Sequence, residues 1–261
     1  MELKRYTLVE LVIDGKGSYG IGAPAVDFDS QKYTYLRITD INDDGSINYI
    51  GLKSVEDEDA YKYLLKENDI VFARTGNSTG RTYFYETSDG ELVYAGFLIK
   101  FSLDPEKVNP RILKYYTHSK EYYDWVKSFD TGGTRGNINA QTYANMLIEL
   151  PNRKIQDKIV SILSTLDNKI ALNTRINDNL DQQAQALYKS WFVDFEPWGG
   201  EQPTEWVNSC IGKVCDVKGG KRLPKGENLT TTPNEHPYIR VRDMNDSLYK
   251  KTHSVKVYLN G

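Results

Sequence analysis

From residue 151 to about residue 194 apolar residues recur at Ile155, Ile159, Ile162, Leu163, Leu166, Ile170, Ile176, Leu180, Ala184, Leu187 and Trp191, mostly three or four positions apart. That spacing lays them along one side of a 3.6-residue helix. No proline or glycine interrupts the stretch, Asn152 behind Pro151 is placed to cap its start, and Pro197 with Gly199 and Gly200 ends it. One helix of this length extends roughly 55–60 Å, far beyond the ~11 residues of an average helix. Its apolar side predicts a partner helix. Asn173 and Asn177 lie within the register, where a polar side chain lowers stability but selects one alignment. The competing expectation is a long amphipathic helix packed on its own domain.

The segment before this helix has a different pattern. Residues 6–13 form a short apolar stretch, and the glycine-rich run Gly15-Lys16-Gly17-Ser18-Tyr19-Gly20-Ile21-Gly22 follows. It lacks the Gly-Lys-Ser/Thr ending of a phosphate-binding loop and is expected to be a tight loop. Residues 33–41 are expected to form a strand, and Glu56-Asp57-Glu58-Asp59 a solvated helix start, because acids favour that end of the dipole. Residues 69–74 and 82–85 predict a hairpin around Thr75-Gly76-Asn77-Ser78-Thr79-Gly80-Arg81. The tip holds no acid, is flanked by Arg74 and Arg81, and is filled with hydroxyls and amides, groups that suit phosphates and base edges. A plain polar turn is the alternative. One helix is expected over residues 110–126, and a second polar loop follows it: Thr131-Gly132-Gly133-Thr134-Arg135-Gly136-Asn137-Ile138-Asn139. If the two loops lie side by side, they make a local electropositive, hydrogen-bonding face.

After the long helix the chain restarts. Tyr35-Leu36-Arg37-Ile38-Thr39-Asp40-Ile41-Asn42-Asp43 recurs as Tyr238-Ile239-Arg240-Val241-Arg242-Asp243-Met244-Asn245-Asp246, and the same offset aligns Leu8 with Ile211, Leu11 with Val214 and Gly17 with Gly220. A repeat held in register over such a distance implies domain, helix, domain. Within the repeated motif, the Arg and Asp are expected to pair with backbone or with each other to hold the strand end, rather than to catalyse.

Composition narrows the function. The 261 residues carry a formal net charge of −3, so any DNA site must be local. No apolar run approaches the ~20 residues of a membrane span and no signal-peptide core opens the chain, which predicts a cytoplasmic protein. Cys210 and Cys215 lack a second pair or a neighbouring histidine and are expected to be simple thiols, not metal ligands. His118, His236 and His253 are isolated in sequence. With no convincing nucleophile, metal motif or Asn-Pro-Pro-Phe/Tyr signature for amino-methylation of a base, a self-contained enzyme is not expected.

These residues together resemble the specificity (S) subunits of type I restriction-modification systems. The resemblance rests on Tyr35-Leu36-Arg37-Ile38-Thr39-Asp40-Ile41, on Asp69-Ile70-Val71-Phe72-Ala73-Arg74-Thr75-Gly76-Asn77-Ser78-Thr79-Gly80, and on Gly133-Thr134-Arg135 before a strand ending at Pro151. It continues through Gln156, Ile159, Leu163, Leu166, Asp167, Lys169 and Ile170, then Trp191-Phe192-Val193-Asp194-Phe195 and the restarted repeat. It implies an α+β fold: a target recognition domain over residues 1–150, a coiled-coil spacer helix over 151–196 and an incomplete second recognition domain over 197–261. Two departures stand out. Family members usually carry two complete recognition domains and two antiparallel spacer helices, and their Pro-Pro-Leu-x-x-Gln helix entry is altered here to Pro151-Asn152-Arg153-Lys154-Ile155-Gln156.

The resemblance further implies a non-catalytic subunit that reads one half of a bipartite site in double-stranded DNA and docks modification (M) and restriction (R) subunits. It implies no cofactor in this chain: S-adenosylmethionine, ATP and magnesium belong to the partners. The implied DNA-contacting residues are Lys16, Ser18, Tyr19, Arg37, Arg74, Thr75, Asn77, Ser78, Thr79, Arg81, Thr134, Arg135, Asn137 and Asn139. Helix pairing and subunit docking fall to Ile159, Ile162, Leu163, Leu166, Ile170, Asn173, Ile176, Leu180, Leu187 and Trp191, with a homodimer, or pairing with another S fragment, expected through that face. Two other classes compete: a coiled-coil scaffold or truncated remnant that no longer reads DNA, and a stand-alone nuclease or methyltransferase.

Overall fold

The computed structural model describes residues 2–130, 136–216, 218–220, 223, 229–230 and 258–259. Strands β1 (Lys4–Thr7), β2 (Ser18–Tyr19), β3 (Ala25–Asp27), β4 (Thr34–Leu36), β5 (Lys53–Val55), β6 (Asp69–Ala73), β7 (Thr82–Phe84), β8 (Leu92–Tyr94) and β9 (Leu98–Ser102) come first. Helices α1 (Pro110–Tyr116), α2 (Lys120–Lys127) and α3 (Ala140–Ala144), strand β10 (Leu147–Leu150) and helix α4 (Arg153–Phe192) follow. One four-stranded sheet has the order β2-β9-β6-β7, a second β3-β5-β4-β8, and β1 pairs with β10. The first sheet is antiparallel throughout, whereas β4 and β8 of the second run parallel. Mixed strands and helices in this arrangement make an α+β architecture, as the sequence implied.

Strand β6 (Asp69–Ala73) explains why Ile70-Val71-Phe72-Ala73 is a continuous apolar run and not an alternation: all five residues of the strand are buried. Successive side chains point to opposite faces. Ile70 and Phe72 enter one cluster with Phe101, Leu113, Tyr122 and Tyr143, while Val71 and Ala73 enter another with Leu36, Tyr83 and Leu98. A strand apolar on both faces is therefore the wall between two cores. Its buried Asp69 accepts from the backbone N–H of Lys66 at 2.9 Å and from the Ser102 hydroxyl at 2.6 Å, so the carboxylate is satisfied.

Three expectations change. The single helix over 110–126 is two helices, because Thr117 is pinned to β7 by the Thr82 hydroxyl at 2.8 Å and Ser119 starts a new helix by accepting from the N–H of Tyr122. The strand over 33–41 ends at Leu36, where the Arg37 guanidinium and backbone N–H grip the Asp40 carboxylate and close a 3₁₀ turn. That ion pair is the strand-end lock anticipated for the motif; its second copy, residues 238–246, lies outside the described residues. The glycine-rich run is an edge strand rather than a simple loop: Ser18 and Tyr19 pair with β9, and a Cβ on Gly20 would sit 2.2 Å from the Tyr94 carbonyl oxygen.

Helix α4 starts where expected. Asn152 accepts from the N–H of Ile155, and the first turns dock on the first core through Val160 and Ile159. Buried Gln156 accepts from the N–H of Asn109 at 2.9 Å and donates to the Pro151 carbonyl at 2.8 Å. Asp167 receives the Tyr115 hydroxyl at 3.0 Å and Lys114 at 3.1 Å. Residues 168–189 are all exposed. Leu166, Ile170, Asn173, Asn177, Leu180, Ala184, Leu187 and Trp191 follow one another at alternating spacings of four and three, the 3.5-residue repeat of a coiled-coil seam.

Contacts divide the chain into two units, Met1–Gln182 and Gln183–Gly261, and α4 contributes to both. Within the second unit, Phe192 stacks on Trp206 at 5.7 Å and Trp198 meets Trp206 edge-on at 5.1 Å, while Phe195, Gly199 and Gly200 take positive φ to turn the chain. Helix α5 (Ile211–Val214) is one turn between extended residues, as Leu8–Leu11 is in the first unit, but Ile211 and Val214 are exposed where Leu8 and Leu11 are buried. Strand β11 (Leu229–Thr230) pairs antiparallel with β12 (Tyr258–Leu259).

Candidate nucleic-acid interface

The β6–β7 hairpin closes where the N–H of Gly80 donates to Ala73 and the N–H of Ala73 to Arg81, which leaves residues 74–79 as its tip. Gly76 and Gly80 hold φ of +70 and +85, left-handed conformations that glycine adopts without strain. Two buried tyrosines clamp the neck: the Tyr122 hydroxyl donates to the Gly80 carbonyl at 2.7 Å and the Tyr143 hydroxyl to the Ala73 carbonyl at 2.9 Å. Burial pushes both phenols well above their ordinary range, so they remain donors. The base of the tip is thus fixed by two buried phenols.

The two polar loops do lie side by side along their described parts. The N–H of Ile138 donates to the Arg74 carbonyl at 2.9 Å, and the side chain of Ile138 is wholly buried in the first core. The N–H of Ala140 donates to the Tyr19 hydroxyl at 3.1 Å, bringing the edge strand β2 to the same place. The Arg74 guanidinium carbon stands 5.1 Å from the centre of the Tyr19 ring, within reach of a cation–π contact. Among the described residues, Arg74 Nε is the one buried side-chain nitrogen or oxygen without a hydrogen-bond partner.

The other named residues fall into different settings. Lys16, Asn77 and Asn137 are exposed, Ser18, Thr75 and Thr79 half-buried, and Ser78 buried. The Thr79 hydroxyl donates to the Gly76 carbonyl, and the Asn139 side chain caps α3 by accepting from the N–H of Thr142. Arg37 is engaged by Asp40. Arg81 donates to Asp43 at 2.7 Å and to the Ile41 carbonyl at 2.9 Å. The loop is therefore acid-free in sequence but not in space, because the turn at Asn42–Ser46, tied by Asp44 to Ser46, carries Asp43 across to it. Thr134 and Arg135 lie outside the described residues. Tyr122 and Tyr143, which hold the neck, were not named from sequence; Tyr122 lies in the stretch 110–126 expected to be helical, and no signal in the sequence marked Tyr143.

Of the helix residues, Ile159 packs on the first core and Leu163 is half-buried, so these two face the domain. Ile162, Leu166, Ile170, Asn173, Ile176, Leu180, Leu187 and Trp191 are exposed. The residues expected on one stripe therefore occupy two faces. Val160 and Gln156, buried against the domain, complete the docking face. Among the described residues no group of histidine, cysteine or acidic side chains is arranged to hold a metal ion, and no helix is long and apolar enough to cross a membrane.

The specificity subunit of the type I restriction enzyme HindI from Haemophilus influenzae is 34% identical over 141 residues, covering 52% of this chain and 30% of that protein. The MjaIX specificity subunit from Methanocaldococcus jannaschii is 27% identical over 143 residues, covering 51% of this chain and 33% of its own. Each match spans about a third of the relative's length. A solved S subunit of a type I restriction-modification system from M. genitalium overlays 74% of this chain and 46% of its own, at a TM-score of 0.49 and 15% identity. The family model of the type I restriction modification DNA specificity domain matches residues 26–182, which holds strands β4–β10, the Arg74 hairpin, the second polar loop and the docked start of α4. A match over more than half of the 261 residues places this chain in the family of type I restriction modification DNA specificity domains.

Proposed function

We propose that this chain reads one half of a bipartite DNA target for a type I restriction-modification complex and is not itself a catalyst. The observation that carries the reading is the convergence of Tyr19, the Arg74 hairpin tip and residues 136–139 on one face, held from below by Tyr122 and Tyr143. Amides, hydroxyls and cations presented from a rigid base suit base edges and phosphates. Phosphate contacts would make affinity fall with salt, and base contacts would set the target. Residues 1–150 act as the recognition domain, residues 151–196 as the spacer helix, and residues 197–261 belong to a second recognition domain.

In this proposal the exposed face of α4 from Leu166 to Trp191 pairs with the same face of a second chain and holds modification and restriction subunits. S-adenosylmethionine, ATP and magnesium act on those partners. Methylation by the reconstituted complex tests the reading: Arg74→Ala and Arg135→Ala should abolish it while leaving the complex assembled. Unchanged methylation would instead mark the chain as a scaffold. Light scattering should report a dimer of the chain at micromolar concentration that Leu180→Lys reduces to a monomer; a wild-type monomer, alone and with modification subunits, would rule the pairing out.

A further inference from the structure

Four of the five described arginines in residues 2–150 lie on a carboxylate. Arg5 meets Glu149 at 2.6 Å, Arg37 meets Asp40 at 2.6 Å, Arg81 meets Asp43 at 2.7 Å and Arg111 meets Glu86 at 2.6 Å. Arg74 meets none among the described residues, and its Nε is buried with no acceptor. A guanidinium with neither counter-ion nor a bond for its desolvated nitrogen weakens the free fold, so folding gives no reason for it. The backbone of this residue and the ring beside its side chain are both fixed. Its N–H donates to Phe97 and its carbonyl accepts from Ile138, while its guanidinium lies over Tyr19, whose own hydroxyl is tied to Ala140 and whose strand is paired to β9.

From this we infer that Arg74 reads the major-groove edge of a guanine, donating from its two terminal nitrogens to O6 and N7. The inference rests on the DNA-reading function proposed above and names the group read. A guanine edge presents two acceptors in one plane, and the planar guanidinium, its carbon 5.1 Å from the centre of the Tyr19 ring, offers two donors in a matching fork. A phosphate can also take the fork but does not require it, since a point charge serves it as well. Arg81 has the opposite character: its partner Asp43 is 86% exposed, an ion pair that a DNA phosphate can replace. The two arginines of one hairpin thus divide the work, with Arg74 choosing sequence and Arg81 gripping the backbone.

The test is selection of randomised duplex DNA by the full chain assembled with its modification partners, for the wild type, Arg74→Lys and Arg74→Ala. The wild type should enrich a motif with at least one guanine, and both variants should lose preference at that one position by roughly 5- to 150-fold, the range of one bidentate contact. The other positions should keep their preference. Replacing that guanine by 7-deazaguanine should weaken wild-type binding with no change to the protein, which separates lost recognition from a variant that folds poorly. A uniform loss across all sequences with the motif intact, or no effect of 7-deazaguanine at any guanine, overturns the assignment and leaves DNA reading in place. Failure of the wild type to enrich any motif overturns DNA reading, and this assignment falls with it.

Discussion

Helix α4 contains two stretches with the same amphipathic rhythm and opposite surroundings. Up to Asp167, its side chains meet the folded domain: Val160 and Gln156 are buried, and Tyr115, Lys114 and Asn109 reach across to it. From residue 168 onward the same kind of residues stand in solvent, Leu180 at 56% exposure and Ile170 at 65%. Amphipathicity alone therefore does not say what a face packs on. In the first stretch the mixed register of apolar, amide and acidic side chains matches a particular surface. In the second the apolar residues follow the four-and-three repeat of a helix-pairing seam, the basis of the pairing proposed above.

Substitutions along this divide should rank by how completely each side chain is enclosed. Leu113→Ala, in the core on which the helix start docks, is expected to lower unfolding free energy by about 2–5 kcal/mol in urea titrations, the range for a buried leucine. Gln156→Ala should cost about 1–3 kcal/mol, because it strands the N–H of Asn109 and the carbonyl of Pro151; a loss indistinguishable from zero would show that the docked stretch is held by apolar contact alone.

A smaller effect is expected at Tyr115, whose phenol is pushed up to about 12, first by burial and then by its bond to Asp167. The raised value favours the protonated phenol in the folded chain, so its contribution is fully present below the ordinary value of about 10. It is lost as pH rises from there to about 12. Tyr115→Phe should cost about 1 kcal/mol or less at neutral pH and reduce the decline in stability over that alkaline window. An unchanged decline would place the alkaline sensitivity at other tyrosines.

The smallest effect separates the two stretches most directly. Leu180→Ala should change the stability of the lone chain by no more than about 0.5 kcal/mol at nanomolar concentration, as for an exposed site. Its effect should grow with chain concentration if the wild type gains stability by pairing. A loss of several kcal/mol independent of concentration would mean that this face is already covered by its own domain, and the comparison would collapse.

Much was legible before any coordinates. The long helix, its Asn152 cap, the hairpin around residues 75–81, and the Arg37–Asp40 lock all follow from spacing and side-chain type within a few residues of one another. The break at Thr117 was not, since it depends on Thr82, thirty-five positions away. Nor was the division of the helix into a docked and an exposed face, which depends on Asn109 and Tyr115 meeting Gln156 and Asp167.

The candidate interface divides in the same way. Periodicity, capping and turn chemistry are short-range, so the linear order of residues carries them in full and selected the polar loops as a group. Which of Arg74 and Arg81 lacks a carboxylate among the described residues was settled in three dimensions. Asp43 crosses from another turn to reach Arg81, while Tyr19 arrives from an edge strand to lie under Arg74. Coulomb attraction and ring contact act over a few ångströms of space, and no rule of spacing along a chain reports which distant residues come that close.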